Sequence, residues 1–131
     1  MNARGIVVTA NAEISVREFG EPLYKTLGEC VGGYIEHVHP RNLPAPYCMI
    51  VDEEFLFKHE ASRDTFNEIG AFLYQTHLHG HPIFGTIVLM KDVLTDDGED
   101  IAGLDDDDIA YLMELIKKIP IYFKKGSNDN D

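Results

Sequence analysis

Cysteine, basic side chains and long apolar runs are scarce in this chain of 131 residues, and each shortage excludes a class of protein. The two cysteines, Cys30 and Cys48, are too few for a disulfide framework and are expected to be small buried side chains. No run approaches the roughly 18 apolar residues that cross a bilayer, and no basic segment precedes an apolar one at the N-terminus. We therefore expect a cytoplasmic protein with one domain over residues 1–123 and a disordered tail over residues 124–131.

Basic residues are outnumbered, with 11 lysines and arginines against 23 aspartates and glutamates, which gives a net charge of −12. Between Asp92 and Asp108 there are nine acids and no base. Such a surface repels phosphate backbones, so direct nucleic-acid binding is not expected. It can instead fill a basic groove on another protein, or it can serve solubility alone. The candidate partner-binding residues are Asp92, Asp96, Asp97, Glu99 and Asp100.

Short β-prone runs separated by turn residues predict a mainly antiparallel sheet. The first two runs, and the fourth and fifth, are spaced as hairpins, and the last is apolar enough to be buried on both faces. The predicted strands are residues 5–9, 14–19, 34–39, 47–52, 55–58 and 83–91.

Two helices are predicted from their end signals and their apolar spacing. The first begins at Pro22 and ends at Gly32, and the last covers about residues 105–119 with an aspartate at its N-cap. Residues 61–74 are ambiguous, with a helical turn or two ending near Gly70. The predicted class is α+β: a mainly antiparallel sheet with two helices on one face.

Six histidines raise the question of a metal centre, because imidazole is a common metal ligand. Residues two positions apart point to the same side of an extended chain. His37 and His39 would therefore share a side, and so would His77, His79 and His81. However, no carboxylate or cysteine lies at a familiar ligand offset from them. We therefore expect no metal site and no cofactor.

The segment His77-Leu78-His79-Gly80-His81 resembles the signature of the histidine-triad nucleotide hydrolases and transferases. That resemblance implies that His79 would attack an α-phosphate, flanked by His77 and His81. Glycine and proline occupy two positions that are apolar in that family, and its glycine-rich phosphate segment is absent. We therefore expect no enzyme and no catalytic residue, and nucleotide hydrolysis is kept as an alternative.

The chain from Leu27 to Ile116 also resembles, as a whole, a family of small uncharacterised domains found mainly in bacteriophages, plasmids and other mobile elements. The resemblance implies a non-enzymatic accessory protein, with counter-defence as its purpose and a host defence protein as its partner. The matching segments are residues 30–36, 49–54, 67–70, 80–88 and 103–105.

A second binding mode is an oligomeric sponge, a homo-oligomer that sequesters a small nucleotide signal in pockets. Polar and aromatic residues near glycines would line such a pocket, and arginines would pair with its phosphates. The candidate ligand-binding residues are Asn67, Tyr34, Tyr74, His79, His81, Arg41 and Arg63.

Overall fold

The computed structural model describes residues 2–53, 65–74 and 83–119. It confirms the α+β class and the mainly antiparallel sheet. The strands are β1 (Ala3–Val8), β2 (Ile14–Phe19), β3 (Ile35–Val38), β4 (Tyr47–Asp52), β5 (Ile87–Thr95) and β6 (Gly98–Ala102). The helices in the described ranges are α1 (Leu23–Val31), α2 (Glu68–Tyr74) and α3 (Asp106–Lys117).

The strands lie in the order β2-β1-β5-β4-β3, and every neighbouring pair is antiparallel. The first half of β5 lies between β1 and β4, and its second half pairs with β6. Lys91 faces Tyr47 of β4 on one side and Ala102 of β6 on the other. Strand β6 therefore follows β1 along the same side of β5.

Apolar side chains alternate between the two faces of the central strands, and each face carries its own core. On β5, Ile87 and Leu89 join the core under α2 and α3, whereas Val88 and Met90 join the core under α1. All four side chains are fully buried. A sheet that is apolar on both faces must be covered on both.

The predicted placement of both helices on one face is therefore wrong: α1 covers one face of the sheet, and α3 covers the other together with α2. We call the two sides of the sheet the α1 face and the α2–α3 face.

Helix α1 ends where the sequence predicts, because Gly32 adopts a φ of 109° and donates to the carbonyl of Gly28 at 2.8 Å. Gly28 is itself required, since a Cβ there would lie 2.6 Å from the carbonyl oxygen of Gly33. Helix α3 begins with a capping box in which Asp105 and Asp108 each accept the other's backbone N–H, at 2.8 and 2.9 Å.

The expected end of the middle helix near Gly70 is wrong, because α2 continues through that residue to Tyr74. Gly70 is instead a packing requirement, since a Cβ there would lie 2.8 Å from Ile83. No strand is predicted after residue 91, but residues 98–102 form β6, which begins at the left-handed φ of 111° of Gly98 and pairs with β5 in a hairpin.

Residues 55–58, predicted as a strand, and the predicted tail over residues 124–131 lie outside the described residues. Within the described ranges, no helix is both long and apolar enough to cross a membrane.

Candidate functional site

A cluster of five side chains with metal-ligand chemistry lies on the α1 face, where the cover of helix α1 and its apolar core end. We call it the Asp92 cluster. Its members come from β3 and the residue after it, β4, β5 and β6: His37, His39, Cys48, Asp92 and Glu99.

Asp92 lies at the centre of this cluster and joins the two histidines. Its Oδ1 lies 2.7 Å from Nε2 of His37, and its Oδ2 lies 2.5 Å from Nε2 of His39. The two imidazole rings are 4.8 Å apart between centroids and tilted by 43°. The thiol of Cys48 also hydrogen-bonds to this carboxylate. One carboxylate thus organises three side chains from two other strand segments.

The sheet register explains how these residues meet. His37 pairs with Ile50 of β4, and Cys48 pairs with Met90 of β5. Side chains two residues apart on a strand share a face, so His39 follows His37 and Asp92 follows Met90 on the α1 face. Ile50 and Met90 belong to the apolar core under α1, which forms the floor beside the cluster.

The electrostatics of the cluster favour an ionised Asp92. Partial burial raises the pKa of this carboxyl, but hydrogen bonds from His39, His37 and Cys48 outweigh burial and lower the pKa overall. For Cys48, burial raises the pKa strongly, and the charge of Asp92 raises it further. In the absence of a cation the thiol therefore keeps its proton.

A second polar cluster lies behind the first, on the α2–α3 face. Asp108 accepts from Lys91 Nζ at 2.6 Å and from Tyr47 Oη at 2.8 Å, in addition to its role in the capping box. Burial raises the pKa of Asp108, but hydrogen bonds from Lys91, the Asp105 backbone and Tyr47 bring it down to about 2. This Asp108 cluster fixes the start of α3 against β4 and β5.

Four of the five predicted partner-binding residues are exposed on the β5–β6 hairpin. Asp96 and Asp97 form the turn, and Glu99 and Asp100 follow in β6. The fifth, Asp92, is different, since its side chain is only 11% exposed and faces the two histidines.

Asn67, predicted to face a ligand, is 1% exposed, and its amide bonds to backbone groups. Its Nδ2 donates to the carbonyls of Val8 at 3.1 Å and Gly85 at 2.7 Å, and its Oδ1 accepts from the N–H of Gly70 at 2.9 Å. The side chain thereby ties α2 to β1 and to the segment before β5. This is the geometry of a buried structural amide.

The predicted pocket that groups Asn67 with two tyrosines is not assembled in the described part of the chain. Tyr74 packs against the core of the α2–α3 face. Tyr34 is 73% exposed and lines a groove of about 690 Å³ beside α1, on the other face. Arg41 lies exposed in the loop between β3 and β4. The candidates His79, His81 and Arg63 lie outside the described residues.

Comparison with known families gives a match over residues 1–117, a range that contains every residue of both polar clusters. The chain belongs to the DUF3846 family, a domain of unknown function. The predicted resemblance to a family of uncharacterised domains is confirmed at this level. No curated protein and no solved structure matches the chain.

Sequence reasoning missed the Asp92 cluster of this DUF3846 domain because its members are far apart along the chain. His37 and His39 precede Asp92 by 55 and 53 residues. The alternate spacing of the two histidines was a visible signal. Their partners were not visible, because they are set by strand register across β3, β4 and β5.

Proposed function

We propose that this DUF3846 protein is a non-catalytic accessory protein of a bacteriophage or another mobile element, and that it counteracts host defence by binding a host protein. The bound surface of the partner would be basic and would ordinarily hold nucleic acid. The surface used would be the tip of the β5–β6 hairpin, residues 93–100, which we call the acidic arm.

The proposal rests on the shape and the chemistry of this arm. Within the described part of the chain, β4 pairs with β5 only as far as Lys91, so residues 93–100 project as a two-stranded ribbon. The ribbon holds four exposed acids and no base.

An exposed apolar side chain accompanies those acids. Leu94 is 84% exposed and pairs with Glu99, so the two side chains share a face of the ribbon. Val93, on the other face, is 37% exposed and pairs with Asp100. An apolar side chain among carboxylates fits a basic groove with an apolar floor, because charge steers the encounter and the buried leucine supplies affinity.

The groove beside α1 gives less support to the alternative of a nucleotide sponge. Its aromatic wall is suitable, since Tyr24 and Tyr34 are 71% and 73% exposed. Its charge is not, because Lys25 is accompanied by Glu29 and Glu53 in the lining. A phosphate group would meet more negative than positive charge there.

The experiment is a capture from a nuclease-treated bacterial lysate, in which bound proteins are identified and then eluted with a salt gradient. We expect the wild-type chain to retain basic nucleic-acid-binding proteins that soluble DNA displaces. Binding should weaken steeply between about 50 and about 200 mM salt, because exposed charges are screened over that range.

Two variants of equal net charge make the test specific to the arm. In the arm variant, the carboxylates become amides at Asp96, Asp97, Glu99 and Asp100. In the control variant, glutamine replaces four exposed glutamates elsewhere: Glu13, Glu21, Glu36 and Glu114. The arm variant should no longer capture the proteins that soluble DNA displaces, and the control variant should still capture them. Equal retention by both variants, or capture that DNA does not displace, would contradict the proposal.

A further inference from the structure

We propose that the Asp92 cluster binds one divalent transition-metal ion of the zinc class, with His37, Cys48 and Asp92 as its protein ligands. The three ligands lie outside the acidic arm, which shares only Glu99 with the Asp92 cluster, and the inference does not depend on the proposed function. It assigns a ligand to a part of the sheet that partner binding leaves unexplained.

The three donor atoms already converge. An imidazole nitrogen of His37, the sulfur of Cys48 and a carboxylate oxygen of Asp92 lie within 4.8 Å of one another. They come from three adjacent strands, β3, β4 and β5, whose hydrogen-bonded register fixes their backbones. The site is therefore preorganised by the sheet rather than by a loop.

The donor types select the metal. One imidazole nitrogen, one thiolate sulfur and one carboxylate oxygen suit zinc and its first-row neighbours, whereas magnesium and calcium favour oxygen ligands alone. Three protein ligands leave the fourth position of a tetrahedron to water.

The distances require only a small adjustment. Zinc bonds to nitrogen and oxygen of roughly 2.0–2.2 Å place two tetrahedral ligands about 3.3 Å apart. The nitrogen of His37 now lies 2.7 Å from the Asp92 oxygen. The metal would therefore push the ring back by about 0.6 Å, which is within reach of a side-chain rotation.

Protons leave as the metal enters. The imidazole coordinates through Nε2, so the proton with which Nε2 donates to Asp92 moves by way of solvent to Nδ1, and the Cys48 thiol releases its proton to solvent. The cation then neutralises two negative charges, the thiolate and the Asp92 carboxylate, at a site bordered by the apolar core. This is the compensation that a buried thiolate requires.

His39 has a supporting role, because its Nε2 lies 2.5 Å from the second oxygen of Asp92. A hydrogen bond there orients the carboxylate and leaves the first oxygen free for the metal. The side chains of Asp92, His37 and His39 are 11%, 28% and 50% exposed, so the cluster opens to solvent on the side of His39. A metal ion can enter by that route.

A second arrangement would use the outer donors, since His39, Asp92 and Glu99 also bring ligand atoms within 4.8 Å of one another. We favour the inner set because the outer one is exposed and offers no sulfur. Glu99 belongs to the outer set alone, and Cys48 to the inner set alone, so these two residues distinguish them.

The test is a titration of the metal-free protein with Co²⁺, followed by absorption spectroscopy and by displacement with Zn²⁺. We expect one Co²⁺ per chain, the ligand-field bands of a tetrahedral ion, and a thiolate-to-cobalt charge-transfer band. One equivalent of Zn²⁺ should remove all of these bands. Absence of stoichiometric binding would overturn the proposal, and the histidines and Asp92 would then form a metal-free polar cluster only.

Matched variants assign the ligands. Cys48→Ser should lose the charge-transfer band, and Cys30→Ser should keep it, since Cys30 lies beside Arg17 outside the cluster. His37→Gln should weaken binding more than about 100-fold, and His39→Gln by about 10- to 100-fold with the band retained. Glu99→Gln should bind as the wild type does.

The variants also guard against loss of folding. Circular dichroism checks each protein without metal, and His37→Gln changes a side chain that is already partly exposed. If Cys48→Ser fails to fold, unaltered Co²⁺ affinity in folded His37→Gln overturns the proposal by itself. Loss of binding in Glu99→Gln with an unchanged band in Cys48→Ser would overturn it too, in favour of the outer donors.

Discussion

Lys91 and Asp92 are neighbours on β5, yet their side chains belong to opposite faces and to different polar clusters. Lys91 reaches Asp108 on the α2–α3 face, and Asp92 reaches His37 and His39 on the α1 face. In both clusters hydrogen bonds outweigh burial and hold the pKa of a carboxyl below its ordinary value. The carboxylates are thus stabilised alike, by partners of different chemistry.

The partners of the two carboxylates differ, and this difference indicates which cluster is structural and which can bind a metal. Asp108 is held by an ammonium group, a phenol and a backbone N–H. Its hydrogen bond raises the pKa of Lys91, whereas burial, followed by the hydrogen bond to Asp108, raises the pKa of Tyr47 to about 12. An ammonium group has no lone pair to offer a metal, and neither lysine nor tyrosine is among the usual ligands of zinc. Asp92 is held by two imidazoles and a thiol, which are common ones. A depressed carboxyl pKa alone therefore does not mark a binding site.

The largest expected effect on stability comes from replacing Asp108, the centre of the structural cluster. Asp108→Ala leaves Lys91 and Tyr47 without their partner and removes the capping box of α3, so we expect a loss of about 3 kcal/mol in unfolding free energy. Urea unfolding measures it. Zinc should still stabilise this variant as much as it stabilises the wild type. A loss under about 1 kcal/mol would contradict the account of the Asp108 cluster.

The next effect is the acid dependence of stability. The folded pKa of Asp108 is about 2 against an ordinary 3.8, so the folded state binds fewer protons than the unfolded state between these values. Its contribution, about 2 kcal/mol, is complete above the unfolded pKa and is lost as pH falls through the folded one.

Denaturant titrations between about pH 5 and about pH 2 on the wild type and Asp108→Asn test this window. The variant should show a flatter acid limb, with the part due to Asp92 remaining. Parallel acid limbs would refute the assignment to Asp108.

A smaller loss of stability is expected from replacing Asp92, the centre of the other cluster. Asp92→Asn removes charged hydrogen bonds to histidines that can turn to water, so the metal-free protein should lose about 1 kcal/mol. In thermal unfolding with equimolar Zn²⁺, this variant should show none of the wild-type stabilisation. An undiminished zinc shift would separate Asp92 from metal binding.

The smallest effect is expected at the ion pair between Arg4 and Asp106, whose side chains are 36% and 92% exposed. Asp106→Asn should change the unfolding free energy by less than about 0.5 kcal/mol, because water screens such pairs. The same urea titration measures it. A loss as large as that of Asp108→Ala would show that position on α3, rather than burial, sets the cost.

How much could be predicted from the sequence depended on whether the signal was local. The start of α3 was predictable because an aspartate N-cap precedes an amphipathic stretch, and the end of α1 was predictable from Gly32. The β5–β6 hairpin carried a known turn signal in Asp97-Gly98, but polar residues flank it instead of alternating apolar ones. The sequence therefore predicts no strand after residue 91.

The Asp92 cluster depended on information that no short segment contains. Cys48 was correctly expected to be buried, but its position next to Asp92 follows from the register of β4 against β5. Asn67 is predicted from the sequence to face a ligand, and only the packing of α2 on β1 shows that backbone groups engage its amide. Contacts between residues on different strands could not be predicted, because they depend on the sheet register and not on the pattern of any one segment.

The most direct test of the central claim is X-ray absorption at the zinc edge on protein loaded with one equivalent of Zn²⁺. The account predicts a shell of nitrogen and oxygen scatterers at about 2.0–2.1 Å and one sulfur scatterer at about 2.3 Å. The sulfur shell should disappear in Cys48→Ser and persist in Cys30→Ser. Bound zinc without any sulfur neighbour, or no retained zinc, would contradict the account.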